Sequence, residues 1–186
     1  MYLFVYEIYI ILFMLVPLFY LRIIKEMDWK QIFLTLIPNY QGHKKELVGA
    51  GALLGALLLG FIIIASGIGL VETLSGLPLN DLEKVGEVIL ENLTASSMGF
   101  IGLLVILVFV EEFFFRSFLV PKIGIILSTI FFTILHTGYG SIAELIGVFF
   151  LGLILAYWFK RNKSIFQNYI GHLLYNLLAI LLYLLM

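Results

Sequence analysis

Six apolar blocks, each close to the length of a membrane-spanning helix, make up most of this chain. A helix needs about 20 consecutive apolar residues to cross the hydrocarbon core of a bilayer. The fourth and fifth blocks are shorter and are joined by a tight turn. The pattern predicts an all-α fold, a polytopic transmembrane bundle of about six helices. The blocks cover residues 2–21, 47–71, 98–120, 123–140, 141–159 and 164–186.

Composition excludes several classes of protein. Hydrophobic residues make up 62% of the chain and charged residues 12%, against about 45–50% and about 25% in an ordinary soluble domain. A net charge of −1 without a basic cluster argues against nucleic acid as a partner. The absence of cysteine excludes disulfides, thiolate nucleophiles and cysteine-ligated metals. Since no repeat or linker interrupts the chain, residues 1–186 are predicted to form a single integral membrane domain.

The distribution of positive charge predicts the topology. If the six helices simply alternate, ten of the eleven Lys and Arg residues fall on one side of the membrane, and positive residues gather on the cytoplasmic side. Only Lys84 lies opposite, in an acidic connection at 72–97. We therefore predict a cell-membrane protein with both termini outside. In the first cytoplasmic connection, MDWKQIFLTLIP at 27–38 is a candidate interfacial helix.

Smaller features of the blocks carry structural predictions. Gly51 and Gly55 have the GxxxG spacing that lets two helix backbones approach closely, which predicts a packing contact. Glu7 and Glu144 lie within two turns of outer helix ends and are expected to be ordinary interfacial residues. The sequence HTGYG, which begins at His136, predicts that its helix ends or bends there.

The remaining ionisable residues inside the blocks form three short patterns. An ionisable group at the bilayer centre costs roughly 2.5–3.5 kcal/mol on insertion scales, so it usually has a pairing or functional reason. In a regular helix Glu112 and Arg116 share a face and are predicted to form a structural ion pair, whereas Glu111 points about 100° away from Glu112. His172 and Asn176 share one face of the last helix. The patterns are EEFFFR at 111–116, FTILH at 132–136 and HLLYN at 172–176.

Depth in the membrane supports a common site. Counting about 1.5 Å per residue from the cytoplasmic Lys122 and Lys163 places the four polar groups about 14–21 Å deep. That range is near the middle of a hydrocarbon core about 30 Å thick. We therefore expect the motif helices to converge. The four groups are Glu111, His136, His172 and Asn176.

A Glu, two His and an Asn in a membrane cavity can support hydrolysis of an amide. A carboxylate beside an imidazole can take a proton from water and direct the hydroxide at a carbonyl. A His and an Asn one turn apart can donate hydrogen bonds to the oxyanion that develops. Zinc held by Glu111, His136 and His172 is an alternative, but no HExxH helix is present. We expect no cofactor.

In this order and at these spacings, the three patterns resemble the motifs of the CPBP family of intramembrane proteases. That family includes type II CaaX prenyl proteases and bacteriocin-processing and immunity (Abi) proteins, and its pattern is EExxxR, then FxxxH, then HxxxN or HxxxD. The resemblance covers about residues 98–186. It implies that Glu111 activates water with the help of His136, and that His172 and Asn176 stabilise the oxyanion. It also implies that Glu112 and Arg116 form a structural pair.

The resemblance further implies an endopeptidase that cleaves near the C-terminus of a membrane-associated peptide or protein, from a cavity open to the cytoplasm and to lipid. In the CaaX branch of the family the substrate is prenylated; the sequence leaves open whether a lipid is required here. One alternative is a non-catalytic immunity or scaffold protein that binds a peptide or partner helices. Another is a proton or ion carrier that uses the same carboxylates.

Overall fold

The computed structural model describes residues 2–37 and 40–185, and only the backbone of residues 2–7. Within these ranges the regular elements are helices and no strand occurs, which confirms the predicted all-α fold. Helices α1 and α4 each continue into a π-helical segment, and a short 3-10 turn follows α5. The elements are α1 (Tyr2–Phe19), π1 (Tyr20–Ile24), α2 (Trp29–Leu36), α3 (His43–Ser75), α4 (Glu83–Glu111), π2 (Glu112–Leu119), α5 (Val120–Ile134), the 3-10 turn (Thr137–Tyr139), α6 (Ile142–Asn162) and α7 (Ile165–Leu185).

Long apolar helices make this an integral membrane protein. Four stretches of the described chain are long and apolar enough to cross a membrane: His43–Ser75, Glu83–Tyr139, Ile142–Asn162 and Ile165–Leu185. A shorter apolar helix covers Ile8–Ile24.

The stretch Glu83–Tyr139 contains two of the predicted blocks. Its 57 residues would extend about 85 Å as one straight helix, far beyond the thickness of a membrane. The chain breaks at Gly124, where φ is 83° and ψ is 174°, a conformation that glycine adopts readily. Helix α5 then packs back against π2 and beside α6. The predicted boundary between blocks 98–120 and 123–140 therefore lies near the observed break.

Helix α2 is the short amphipathic helix predicted at 27–38. Asp28 caps it, because the Asp28 carboxylate accepts from the Gln31 N–H at 2.8 Å while the Gln31 side chain accepts from the Asp28 N–H at 2.9 Å. Ile32 and Leu36 are buried against the bundle. Pro38, where the helix was expected to stop, and the side chain of Glu7 lie outside the described residues. Glu144 lies in the first turn of α6.

Close packing between α3 and α7 uses other glycines than those predicted. A Cβ atom added at Gly171 would lie 2.9 Å from a Leu53 methyl carbon and 3.1 Å from the Ala50 carbonyl oxygen. At Gly51 and Gly55 an added Cβ would meet no described atom within 4 Å. The GxxxG prediction is therefore wrong for packing within this chain. The reason is helix phase: the face of α3 that carries Ala50 and Leu53 is turned toward α7, so Gly51 and Gly55 are exposed.

A buried polar contact ties the start of α3 to the start of α7. The Glu46 carboxylate is buried and accepts hydrogen bonds from the Ser164 hydroxyl and, at 2.8 Å, from the backbone N–H of Gln41. The Ser164 oxygen also accepts from the Gln167 N–H at 3.2 Å, in the first turn of α7. This contact positions the helix that carries His172.

At the other end of the bundle, Asp81 and Lys84 bind the turn that precedes α6. Asp81 accepts from the Ser141 hydroxyl at 2.7 Å, from the N–H groups of Ile142 and Ala143 at 3.1 Å each, and from Lys84 at 2.9 Å. These hydrogen bonds, that of Ser141 first and that of Lys84 second, hold the pKa of Asp81 well below its ordinary value. Lys84 also donates to the carbonyl of Gly140 at 3.1 Å. We call Asp81, Lys84, Gly140 and Ser141 the latch; it holds the turn that follows His136.

Candidate active site

The first motif lies where an α-helix becomes a π-helix. Helix α4 ends at Glu111, and the next eight residues form π2. Such wider turns are rare and often occur at functional sites. The phase expected for a regular α-helix therefore does not hold beyond Glu111. The change turns most of the segment inward: its buried residues are Glu112, Phe113, Phe115, Arg116, Ser117 and Phe118.

Glu112 and Arg116 form the predicted ion pair. The Arg116 Nε atom lies 3.4 Å from Glu112 Oε2, and both side chains are completely buried. The Arg116 guanidinium also lies 4.3 Å from the centre of the Phe132 ring, an arrangement in which the ring face attracts the cation. Arg116 interacts electrostatically with Glu111 as well.

Glu112 also binds His172, which the sequence did not predict. Glu112 Oε1 lies 2.8 Å from Nδ1 of His172. Because an ionised carboxylate can only accept a hydrogen bond, Nδ1 carries the proton that is donated. The free nitrogen of the His172 ring is therefore Nε2. A single buried carboxylate thus links the first motif to the third.

Asn168 is a site residue that sequence reasoning missed. Its side chain is completely buried, and its Nδ2 atom donates to Glu112 Oε2 at 3.1 Å and to the Leu155 carbonyl at 2.9 Å. The signal was present in the sequence, because Asn168 precedes His172 by four residues as Asn176 follows it by four. All three therefore lie along one face of α7.

Phe132 and His136 bring the second motif into the same cluster. His136 Nδ1 lies 2.9 Å from the carbonyl oxygen of Phe132, so Nδ1 donates and Nε2 of the neutral ring keeps its lone pair. The centre of the Phe132 ring lies 4.6 Å from that of His136 and 6.3 Å from that of His172. Helix α5 ends at Ile134 and gives way to the 3-10 turn, which confirms the bend predicted at HTGYG.

A comparison with protein families finds a similarity in this part of the chain. A family model described as Type II CAAX prenyl endopeptidase Rce1-like matches residues 93–178. This segment is similar to that family. The matched range contains all three motifs, and it confirms the resemblance predicted from them. No curated protein and no solved structure gives a significant match to the chain. At the level of the family, the match supports an intramembrane endopeptidase of the CAAX type, whose substrates are membrane-embedded peptides.

Within the matched segment, two predicted site residues lie outside the hydrogen-bonded cluster. Glu111 and Asn176 are both half-buried, and neither side chain forms a hydrogen bond with any residue that the structure describes. Asn176 lies one turn beyond His172 on α7. The described part of the chain contains no group of three His, Asp or Glu residues that could hold a metal ion. The catalytic roles of Glu111, His136, His172 and Asn176 stay predictions.

Proposed function

We propose that this protein is a glutamate-type intramembrane endopeptidase that hydrolyses a peptide bond near the C-terminus of a membrane-associated substrate. Prenylated CaaX proteins are the substrate class that the family match favours. The observation that carries the proposal is the meeting of three motifs at Phe132, whose ring contacts Arg116, His136 and His172. Side chains far apart in sequence are thereby held in one small volume within apolar helices.

The first step of the proposed reaction activates water. Glu111, with the help of His136 Nε2, takes a proton from a water molecule, and the oxygen of that water bonds to the carbonyl carbon of the substrate. Two observations support this role. The His136 ring leaves Nε2 as its acceptor, because Nδ1 is engaged with the Phe132 carbonyl. Glu111 is only half-buried, whereas Glu112 is completely buried and already accepts from two other side chains.

The second step breaks the peptide bond. The oxyanion of the tetrahedral intermediate accepts hydrogen bonds from the Asn176 amide and from Nε2–H of His172, which donates in the doubly protonated ring whose charge the Glu112 carboxylate balances. Loss of one such donor typically costs about 2.7–4 kcal/mol of transition-state stabilisation. The carbon–nitrogen bond then breaks, and the proton taken from water passes to the leaving amine. The products are an amine and a carboxylic acid, which then releases its proton to become a carboxylate. Glu112 and Arg116 hold the cluster together without touching the substrate.

The proposal extends to cofactor and orientation. The proposed mechanism uses no metal, and zinc held by Glu111, His136 and His172 is the alternative to it. The cavity opens toward the cytoplasm and toward lipid, and both chain termini lie outside the cell membrane. The support for this orientation is the asymmetry of positive charge, with Lys84 as the one basic residue on the outer side.

The test is cleavage of fluorogenic C-terminal peptides, with and without a prenyl group, by the detergent-purified protein. Glu111→Gln should lower kcat by at least about a hundredfold, in line with the loss of a general base, while its unfolding temperature stays unchanged. Glu144→Gln is the matched control, because Glu144 is another half-buried carboxylate in a membrane helix. This control should keep full activity.

A strong chelator separates the proposal from the zinc alternative. Activity that survives chelation and disappears in Glu111→Gln supports the metal-free mechanism. Activity that is lost to chelator and restored by added zinc contradicts it. If the folded protein cleaves neither peptide, the protease proposal fails for this substrate class and the non-catalytic immunity or scaffold alternative is favoured.

A further inference from the structure

We infer that Asn168 is a positioning residue, which holds the Glu112 carboxylate against Nδ1 of His172 so that Nε2 is the nitrogen presented to the substrate. The inference rests on the proposed function for the role of His172. The structural part of the inference does not depend on that function. The buried Asn168 amide determines how the Glu112 carboxylate of the first motif contacts the His172 imidazole of the third.

The orientation of the Asn168 amide follows from its two partners. Its nitrogen lies 3.1 Å from Glu112 Oε2 and 2.9 Å from the Leu155 carbonyl oxygen. Both partners can only accept, and the amide nitrogen has two protons to donate. Reversing the amide would place its oxygen against both acceptors, so this orientation is the one that the hydrogen bonds allow.

Asn168 prevents the Glu112 carboxylate from rotating to form hydrogen bonds with Arg116. The guanidinium nitrogens of Arg116 make no hydrogen bond of normal geometry within the described residues, and Nε lies 3.4 Å from Glu112 Oε2. Without the amide on Oε2, the carboxylate could rotate toward these free donors. That rotation would draw Oε1 away from His172, whose Nδ1 it now accepts from at 2.8 Å. The competition is strong because all three groups are buried, where hydrogen bonds are electrostatically stronger than in water.

The same amide connects three parts of the bundle. Asn168 belongs to α7, Leu155 belongs to α6, and Glu112 opens π2. A displacement of α6 relative to α7 would therefore change the position of the Glu112 carboxylate.

The Asn168 oxygen has no hydrogen-bond partner among the described residues. An unpaired buried oxygen lowers the free energy of unfolding. If Asn168 served only to fill space, an apolar residue of similar size would therefore suit this position.

The test is nuclear magnetic resonance of the detergent-solubilised protein with 15N-labelled histidine. The chain has three histidines, so the His172 signals can be assigned with the variants His43→Gln and His136→Gln. The test variant is Asn168→Leu. The control is Gln167→Leu: Gln167 is the neighbouring buried amide, and it accepts from Trp158 Nε1 at 3.1 Å instead of binding Glu112. If Asn168→Leu does not fold, Asn168→Ser replaces it, since a serine hydroxyl cannot donate to both acceptors.

We expect the Nδ1–H signal of His172 to shift or broaden in Asn168→Leu and to keep its wild-type position in Gln167→Leu. On a cleaved peptide, Asn168→Leu should lower kcat about tenfold or more, because small misplacements of reacting groups are costly, and change KM less than about twofold. An unchanged His172 signal in Asn168→Leu, or an equal change in Gln167→Leu, would overturn the inference. The spectra need no substrate, so they decide the inference even if the protein cleaves no peptide and the proposed function fails.

Discussion

Arg116 and the two adjacent glutamates show how neighbouring residues take different roles. The Arg116 cation is completely buried, with Glu112 at 3.4 Å and the face of Phe132 at 4.3 Å as its close partners. Removing one member of a buried pair leaves the other charge without compensation, which typically costs about 3–5 kcal/mol. Glu111 is only half-buried. Burial therefore supports the structural role predicted for Glu112, and the catalytic role of Glu111 stays a proposal.

At the residue scale, Arg116→Ala should lower the free energy of unfolding by about 3–5 kcal/mol because Glu112 loses its cation. Denaturant unfolding in a single detergent measures this. Arg161→Ala is the control, since Arg161 is exposed at the end of α6 and should cost less than about 1 kcal/mol. Equal stability of Arg116→Ala and wild type, together with lost activity, would contradict the division of roles.

The latch acts at the scale of a helix end. Asp81 accepts from two N–H groups in the first turn of α6 and from Ser141 before it, so it caps this helix although it lies about sixty positions earlier in the sequence. Lys84 holds the carbonyl of Gly140 beside it. Since this turn follows His136, the latch limits the positions that the His136 ring can adopt.

We expect Asp81→Asn to lower the unfolding temperature by about 2–4 °C at pH 7, and Asp81→Ala to lower it further, because caps are lost. The folded-state pKa of Asp81 lies below its unfolded value. Its contribution to stability is therefore fully present above the unfolded pKa of about 3.9 and declines as the pH falls toward the folded pKa. The gap between wild type and Asp81→Asn should narrow from pH 7 to pH 3. A gap of equal size at both pH values would exclude this account.

Helix packing gives a second prediction at the element scale. Gly171→Ala places a Cβ 2.9 Å from the Leu53 side chain and 3.1 Å from the Ala50 carbonyl oxygen, which should cost about 1–3 kcal/mol through overpacking. Gly51→Ala meets nothing within 4 Å and should be neutral or stabilise α3 by up to about 1 kcal/mol. Thermal unfolding of the two variants tests the pair. Destabilisation by Gly51→Ala alone would show that the exposed glycine face is used in packing.

The whole molecule is organised by the membrane. Long apolar helices carry almost no charge in their middle parts, and the polar cluster lies inside the bundle, where Glu112, Arg116 and Asn168 are completely buried. The large exposed side chains are mostly apolar, as expected for surfaces that face lipid. If the helices alternate across the membrane, most basic residues lie in or next to the connections on one side.

The predicted orientation can be measured directly, because the chain contains no cysteine. Single substitutions Asn80→Cys, between α3 and α4, and Gln41→Cys, before α3, place one thiol on each predicted side. In intact cells a membrane-impermeant maleimide should label Asn80→Cys and should label Gln41→Cys only after permeabilisation. The reverse pattern would show that the chain has the opposite orientation, and the positive-inside prediction would be wrong.

The sequence alone was enough for the fold class, the predicted ion pair and the candidate catalytic set. The lengths of the apolar blocks predict helices because a chain in lipid must satisfy its backbone hydrogen bonds within each segment. Glu112 and Arg116 could be paired from their spacing, because residues four apart are neighbours on a helix. Glu111, His136, His172 and Asn176 could be selected because few ionisable or amide side chains interrupt the apolar blocks.

Only the tertiary structure decided how these groups meet. The π turn that begins at Glu112 packs against α5, α6 and α7, and the local periodicity does not encode these contacts. Glu112 accepts hydrogen bonds from His172 and Asn168, which lie 60 and 56 positions away in the sequence. The local patterns around these residues do not determine that they meet in space. The sequence also could not show that Gly51 and Gly55 face outward. Spacing tells which residues share a helix face, but not which neighbour that face contacts.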